Sequence, residues 1–168
     1  LSTPGGIIPQ IGDNDDGRLF ILQNYSDWDR NNFQYLLAIG SLIFKNTNFK
    51  FIGNSNYESS FWLLSEKTFN NKNEKDSINN TLKSKSFNIS KIYVIRNDTV
   101  GDYALIKLGS PGVGFPNAHS HNDVLSFELW YSSVPIFVDP GTYCYTSDLN
   151  KRNYFRSNLN HNTVSINR

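Results

Sequence analysis

Apolar positions fall into two regimes along the chain. Between Asp29 and Phe44, in DRNNFQYLLAIGSLIF, they recur at Phe33, Leu36, Leu37, Gly40, Ile43 and Phe44. That spacing puts them on one side of a helix, with Asp29 placed as its N-cap. A second, shorter helix is predicted from Tyr57 to Leu64, where Phe61, Trp62 and Leu64 supply the apolar face. The stretch SEKTFNNKNEKDSINNTLKSK then offers almost no apolar anchor and reads as a linker or exposed excursion. From Phe87 the pattern changes to short runs rich in β-branched and aromatic residues: KIYVIRND, DYALIKLG, VLSFELWY, VPIFVD and NTVSIN, separated by Asp, Gly and Pro. These read as strands, so antiparallel sheet is expected from Phe87 to Asn167. Residues 1 to 18 are punctuated by Pro4, Gly5, Gly6, Pro9, Gly12 and Gly17 and read as an ordered loop with an acidic core, IGDNDDGR.

Composition narrows the picture. At 168 residues, with 38% hydrophobic and 14% aromatic content, the chain can bury one or two small cores. A formal net charge of +1 gives no broad basic surface, which argues against nucleic acid as a partner. The single cysteine, Cys144, excludes an internal disulfide. No run of about 18 apolar residues is present, so no membrane span is predicted. The opening LSTPGGIIPQ lacks the basic-then-apolar layout of a signal peptide, and the chain reads as a fragment of a longer protein.

Chemistry concentrates near the C-terminal end. His119, His121 and His161 are all the histidines of the chain, and Asp139 lies between the second and third in a VDPG turn. In an extended segment His119 and His121 point the same way, about 6.5 Å apart, too far to serve one small ion interchangeably. Two histidines and an aspartate form a donor set that zinc accepts, with one position left open. His121, Asp139 and His161 are the expected ligands, leaving His119 for proton chemistry or charge stabilisation. The bland alternatives are hydrogen-bonded histidines and an Asp139 that only caps its turn. The DNDDG string suggests a calcium loop, but counting Asp13 as the first position puts Asn24 where an EF-hand needs glutamate.

The segments HSHNDVLSFEL, PIFVDPGTYCY and RNYFRSNLNHNTVSI, in this order and at these separations, resemble the heparinase II/III-like family of polysaccharide lyases. The resemblance covers about the last 55 residues closely. It implies an α+β fragment: the last helices of an α/α toroid in residues 1–66, a polar linker in 67–86, and an antiparallel β-sandwich (supersandwich) domain in 87–168. It also implies Zn2+ on His121, Asp139 and His161, with His119 facing an acidic polysaccharide in a catalytic cleft. The reaction implied is β-elimination on a uronate-containing chain, with glycosaminoglycan, alginate and bacterial exopolysaccharide all open. That reaction needs a group to neutralise the carboxylate, a base for the proton α to it, and an acid for the departing oxygen. Tyr143, Tyr145 and Tyr154 follow the VDPGT turn; Tyr145 and Tyr154 are the candidates to give such a proton, against the alternative that they are packing residues with one wet end. Arg152, Arg156 and Arg18 are candidates to bind the sugar carboxylate, with Asn117 also near the substrate; each arginine could equally brace its own loop. The family's remaining catalytic groups, an asparagine, a tyrosine and a histidine, are expected upstream of Leu1, and the parent protein is expected to be periplasmic or secreted. Two other classes compete. A cupin-like metal domain is disfavoured because Leu125 and Ser126 occupy the places of its glutamate. A non-catalytic carbohydrate-binding β-sandwich would use Trp130 and Tyr131 but leaves the His/Asp cluster without a purpose.

Overall fold

The structure is a computed structural model that describes residues 1–13, 21–22, 32–46, 49, 58–66, 82–109 and 119–166. Arg18, Asp29, Tyr57, Asn117 and most of the polar stretch after Glu66 lie outside the described residues. The chain forms two compact units. One gathers Leu1–Gly5, Pro9–Asp15 and Leu82–Arg168, and the other gathers Gly6–Ile8 and Asp16–Thr81.

The second unit holds two helices, α1 (Gln34–Phe44) and α2 (Glu58–Leu63). The first turn of α1 is not closed by the side chain of its cap residue, Phe33. Instead, the Asn32 carboxamide oxygen accepts from the Gln34 N–H at 3.0 Å. At the other end Lys45 stops the helix in the left-handed region, at φ 50°. The face that α1 buries is not the expected apolar stripe. Ala38, Ser41 and Leu42 are buried, while Leu36, Ile43 and Phe44 are exposed. On α2 it is Ser59 and Ser60 that are buried, and Phe61 and Trp62 lie outside. Small side chains let two helix backbones approach closely, and periodicity of large apolar residues gives no sign of that kind of contact.

The first unit is built on a five-stranded antiparallel sheet in sequence order: β1 (Lys85–Phe87), β2 (Ile92–Asn97), β3 (Asp102–Lys107), β4 (Ser126–Tyr131) and β5 (Val134–Phe137). Alternation decides its two faces. Val94, Leu105 and Glu128 stand in one cross-strand row, and Tyr103 and Trp130 in the next. All five are buried. The β4–β5 connection is a two-residue turn in which Ser132 (φ 49°) and Ser133 (φ 64°) both adopt left-handed backbone. That matches the right-handed twist of a hairpin even without glycine. The Ser132 N–H donates to the Asp102 carboxylate at 3.0 Å.

Two expectations for this region need correction. The run after the VDPG turn is not all strand: a third helix, α3 (Leu149–Arg156), and a 3-10 turn (Asn158–Asn160) follow it. The helix LNKRNYFR has no apolar stripe to betray it and is held by its ends. Asp148 accepts from the Lys151 N–H at 3.0 Å, and Arg156 sits in the last turn, where a cation suits the helix dipole. The NTVSIN run, as far as Ile166, is not paired in the sheet. Its bends are fixed instead by Asn162, whose amide donates to the carbonyls of Phe127 and Val138 at 3.2 and 3.1 Å.

Candidate functional site

The segment from His119 onward is not extended. His119 takes left-handed backbone, φ 58°, and the residues to Leu125 form turns and bends that lead into β4. The alternation that would have aimed His119 and His121 at one volume therefore fails, and the two rings separate. His119 is exposed, and its Nδ1 hydrogen-bonds the Tyr145 hydroxyl. His121 is 1% exposed and turns inward.

Inside, His121 meets His161, with ring centroids 5.1 Å apart. His161 Nδ1 lies 3.0 Å from Asp139 Oδ2. The other Asp139 oxygen accepts from the Gly141 N–H at 2.8 Å, and Gly141 has the positive φ, 78°, that such a turn requires. The turn-capping and cluster-forming readings of Asp139 thus coexist, one oxygen to each. One ligand atom from each of His121, Asp139 and His161 comes within 4.8 Å of the other two. Both nitrogens of His121 and Nε2 of His161 are buried with no hydrogen-bond partner among the described residues. Each such group costs about 1–3 kcal/mol if left unsatisfied. Burial, opposed by the Asp139 charge, holds His121 below the ordinary imidazole pKa, so the ring is neutral and its lone pair is available. The residues present therefore fit a cation of the zinc class, which takes imidazole nitrogen and carboxylate oxygen together.

Asp13, from the acidic loop at the start of the chain, was weighed in the sequence only as the first position of a calcium loop, and it sits at the centre. It is 2% exposed. Its N–H donates to the His119 carbonyl at 3.0 Å, and its own carbonyl accepts from the Tyr145 hydroxyl at 2.9 Å. Its carboxylate accepts from Arg152 at 2.9 Å on Oδ2, while Oδ1 lies 3.5 Å from His121 Nε2. Burial alone would raise the Asp13 carboxyl, but the hydrogen bond and charge of Arg152, with His121 behind them, outweigh it and hold it below the usual range. Gly12 permits this approach: at φ 67°, a Cβ there would stand 2.6 Å from the His119 carbonyl oxygen. The signal available in sequence was the Gly-Asp pair itself, a tight turn followed by a short acid.

The other predicted residues divide. Arg152 also lies 4.8 Å over the Tyr145 ring, so Tyr145, Arg152 and His119 form one group around Asp13. Arg156 donates to the Ser120 carbonyl at 3.1 Å, and its own carbonyl accepts from the Asn122 N–H at 2.9 Å, so it braces the histidine loop. Tyr154 is exposed and packs edge-on to Phe155, with ring centroids 5.7 Å apart.

The five-stranded meander thus carries a buried His/Asp/His cluster, with His121 before its fourth strand, Asp139 after its fifth and His161 after the 3-10 turn. Residues 79–168 match the sequence family described as heparinase II/III-like, C-terminal, and the chain belongs to that family. It is similar to a heparin-sulfate lyase of Bacteroides stercoris, 34% identical over 91 residues, which are 50% of this chain and 13% of that protein. Among solved structures, a heparinase III superposes with a TM-score of 0.64 at 21% identity, over 98% of this chain and 21% of the other. The heparan sulfate lyase HepC of Pedobacter heparinus gives a TM-score of 0.59 at 19% identity, over 93% and 20%. The chain thus spans 13% to 21% of the length of these relatives.

Proposed function

We propose that this chain is part of a polysaccharide lyase that cleaves a uronate-containing polysaccharide, of the glycosaminoglycan kind, by β-elimination. The observation that carries this reading is the separation of roles around Asp13: an exposed His119–Tyr145 pair on one side and a buried His121–Asp139–His161 cluster on the other. In the elimination, the proton on the carbon α to the carboxylate leaves, the bond from the β carbon to the glycosidic oxygen breaks, and that oxygen takes up a proton. The Tyr145 hydroxyl is the proton donor within reach of His119, which restores or removes its proton. The Arg152 guanidinium lies 4.8 Å over the Tyr145 ring, a cation–π contact that holds the ring beside His119. His121, Asp139 and His161 would hold Zn2+, which supplies coordination that ties three separate loops together.

Several features support placing the fragment in a larger enzyme. Helices α1 and α2 would be the last of an α/α toroid, joined by a linker to the opening sheet of a sandwich domain, which begins with β1 at Lys85 and also gathers Leu1–Gly5 and Pro9–Asp15. The likeness to much longer lyases supports that architecture. The acidic polysaccharide would lie over His119, and the parent protein would be periplasmic or secreted. Among the described residues no helix is long and apolar enough to cross a membrane.

The test uses the full-length parent enzyme with heparan sulfate and, separately, alginate, following the ultraviolet absorbance of the unsaturated uronate. His119→Ala is expected to abolish turnover while leaving zinc content and melting temperature nearly intact. His121→Ala is expected to lower zinc content and stability first, with activity lost as a consequence. Turnover of neither polymer by the parent, or full activity in His119→Ala, would refute the lyase reading.

A further inference from the structure

The three cluster residues do not account for everything that faces His121. Asp13 is buried, its Oδ1 has no hydrogen-bond partner within normal range, and His121 Nε2 stands 3.5 Å from it. Nothing about a tight turn requires a carboxylate there. A buried carboxylate costs several kcal/mol to desolvate, and Arg152 engages only one of its two oxygens. Imidazoles that bind metal commonly direct their second nitrogen at a carboxylate, which fixes the ring and its tautomer and makes the ligating nitrogen more basic. The same residue, through its backbone, also holds the carbonyl of His119 and the hydroxyl of Tyr145.

We propose that Asp13 is the positioning residue of the metal centre. Its carboxylate, anchored by Arg152, orients His121, and through its backbone it sets that centre in register with the His119–Tyr145 pair. The segment of residues 9–13 is therefore a strap that brings a carboxylate to the metal chemistry. This rests on the zinc reading of the cluster.

The experiment is a zinc competition titration against a chromophoric chelator, on the whole chain stripped of metal, at a temperature where circular dichroism shows every variant folded. Asp13→Asn keeps the shape and removes the charge, and is expected to weaken zinc binding 10- to 100-fold. It is also expected to shift the visible absorption of the Co2+-loaded chain, a signature of changed ligand orientation that loss of packing alone would not give. Gln10→Ala serves as the comparison. It removes two other tethers of the strap, the Gln10 amide contacts to the Gly12 carbonyl at 3.2 Å and to Thr142 Oγ1 at 3.5 Å, without touching His121. Its zinc affinity is expected to stay within about twofold of the parent chain, a change worth under 1 kcal/mol. Unchanged affinity in Asp13→Asn overturns the proposal, and so does an equal loss in Gln10→Ala, which would mean that docking of the strap matters and its carboxylate does not. A parent chain that binds neither zinc nor cobalt overturns the metal reading itself, and this proposal with it.

Discussion

Glu128 stands on the buried face of β4, opposite Leu105, with only 5% of its surface exposed. Burial, and then the nearby Asp139 charge, push its pKa from 4.5 up to about 7, against a smaller opposing effect from the Trp130 indole. A carboxyl whose folded pKa is raised holds its proton in the folded chain after the unfolded chain has released it. Stability therefore falls as pH rises from about 4.5 to about 7 and is level beyond that. Glu128→Gln is expected to raise the stability of the metal-free chain at pH 8 by up to something on the order of 3 kcal/mol, and to do almost nothing at pH 4. Urea denaturation at the two pH values measures this, and a gain that does not depend on pH would show that the carboxyl is not the cause. The residue scale is also where sequence told most and misled most. The spacing logic selected His121, Asp139 and His161, and the structure brings those three together. It assigned His119 to a separate role for the wrong geometric reason, because the left-handed backbone at His119 cannot be read from a His-x-His. Asp13 was not tied to the histidines because its partners lie more than a hundred residues away.

Among the elements, α3 is a helix with no buried residue of its own. Its N-terminal N–H groups depend on Asp148, and its two arginines anchor Asp13 and the histidine loop. Asp148→Ala is expected to cost about 1 kcal/mol of stability, the usual loss for an N-cap. It should also loosen the Arg152 grip on Asp13, so zinc affinity should fall with it. Thermal melting and chelator competition on one preparation check both, and a variant with unchanged melting would show that α3 is held by something other than its cap. This helix was invisible to hydropathy because a polar, uncovered helix has no apolar period to detect. The four strands β2 to β5 were legible for the opposite reason: each alternates, or carries β-branched and aromatic residues, between clear turns. For α1 the period was correctly read as helical, but the buried side was misjudged because small residues make the contact.

At the scale of the molecule, the first unit is assembled from distant pieces. Leu1–Gly5 packs with the sheet through the Tyr103 hydroxyl, which donates to the Leu1 carbonyl at 2.7 Å, and through Arg96, which donates to the Ser2 carbonyl at 3.0 Å. A chain starting at Leu82 is expected to melt lower than the whole and to bind zinc at least tenfold more weakly. A peptide of residues 1 to 15, supplied separately, should recover part of both. Equal melting and affinity with and without the first 81 residues would show that the strap adds nothing. This discontinuity also imposes an order of events on the nascent chain. Asp13 is synthesised 139 residues ahead of Arg152, a lead of roughly 10 to 30 seconds at ordinary rates of translation. Throughout that interval the strap has no site to close, and the helical unit between has the first opportunity to fold. The histidine cluster is complete only once His161 has emerged, so the site cannot serve as a nucleus for the helical unit made before it.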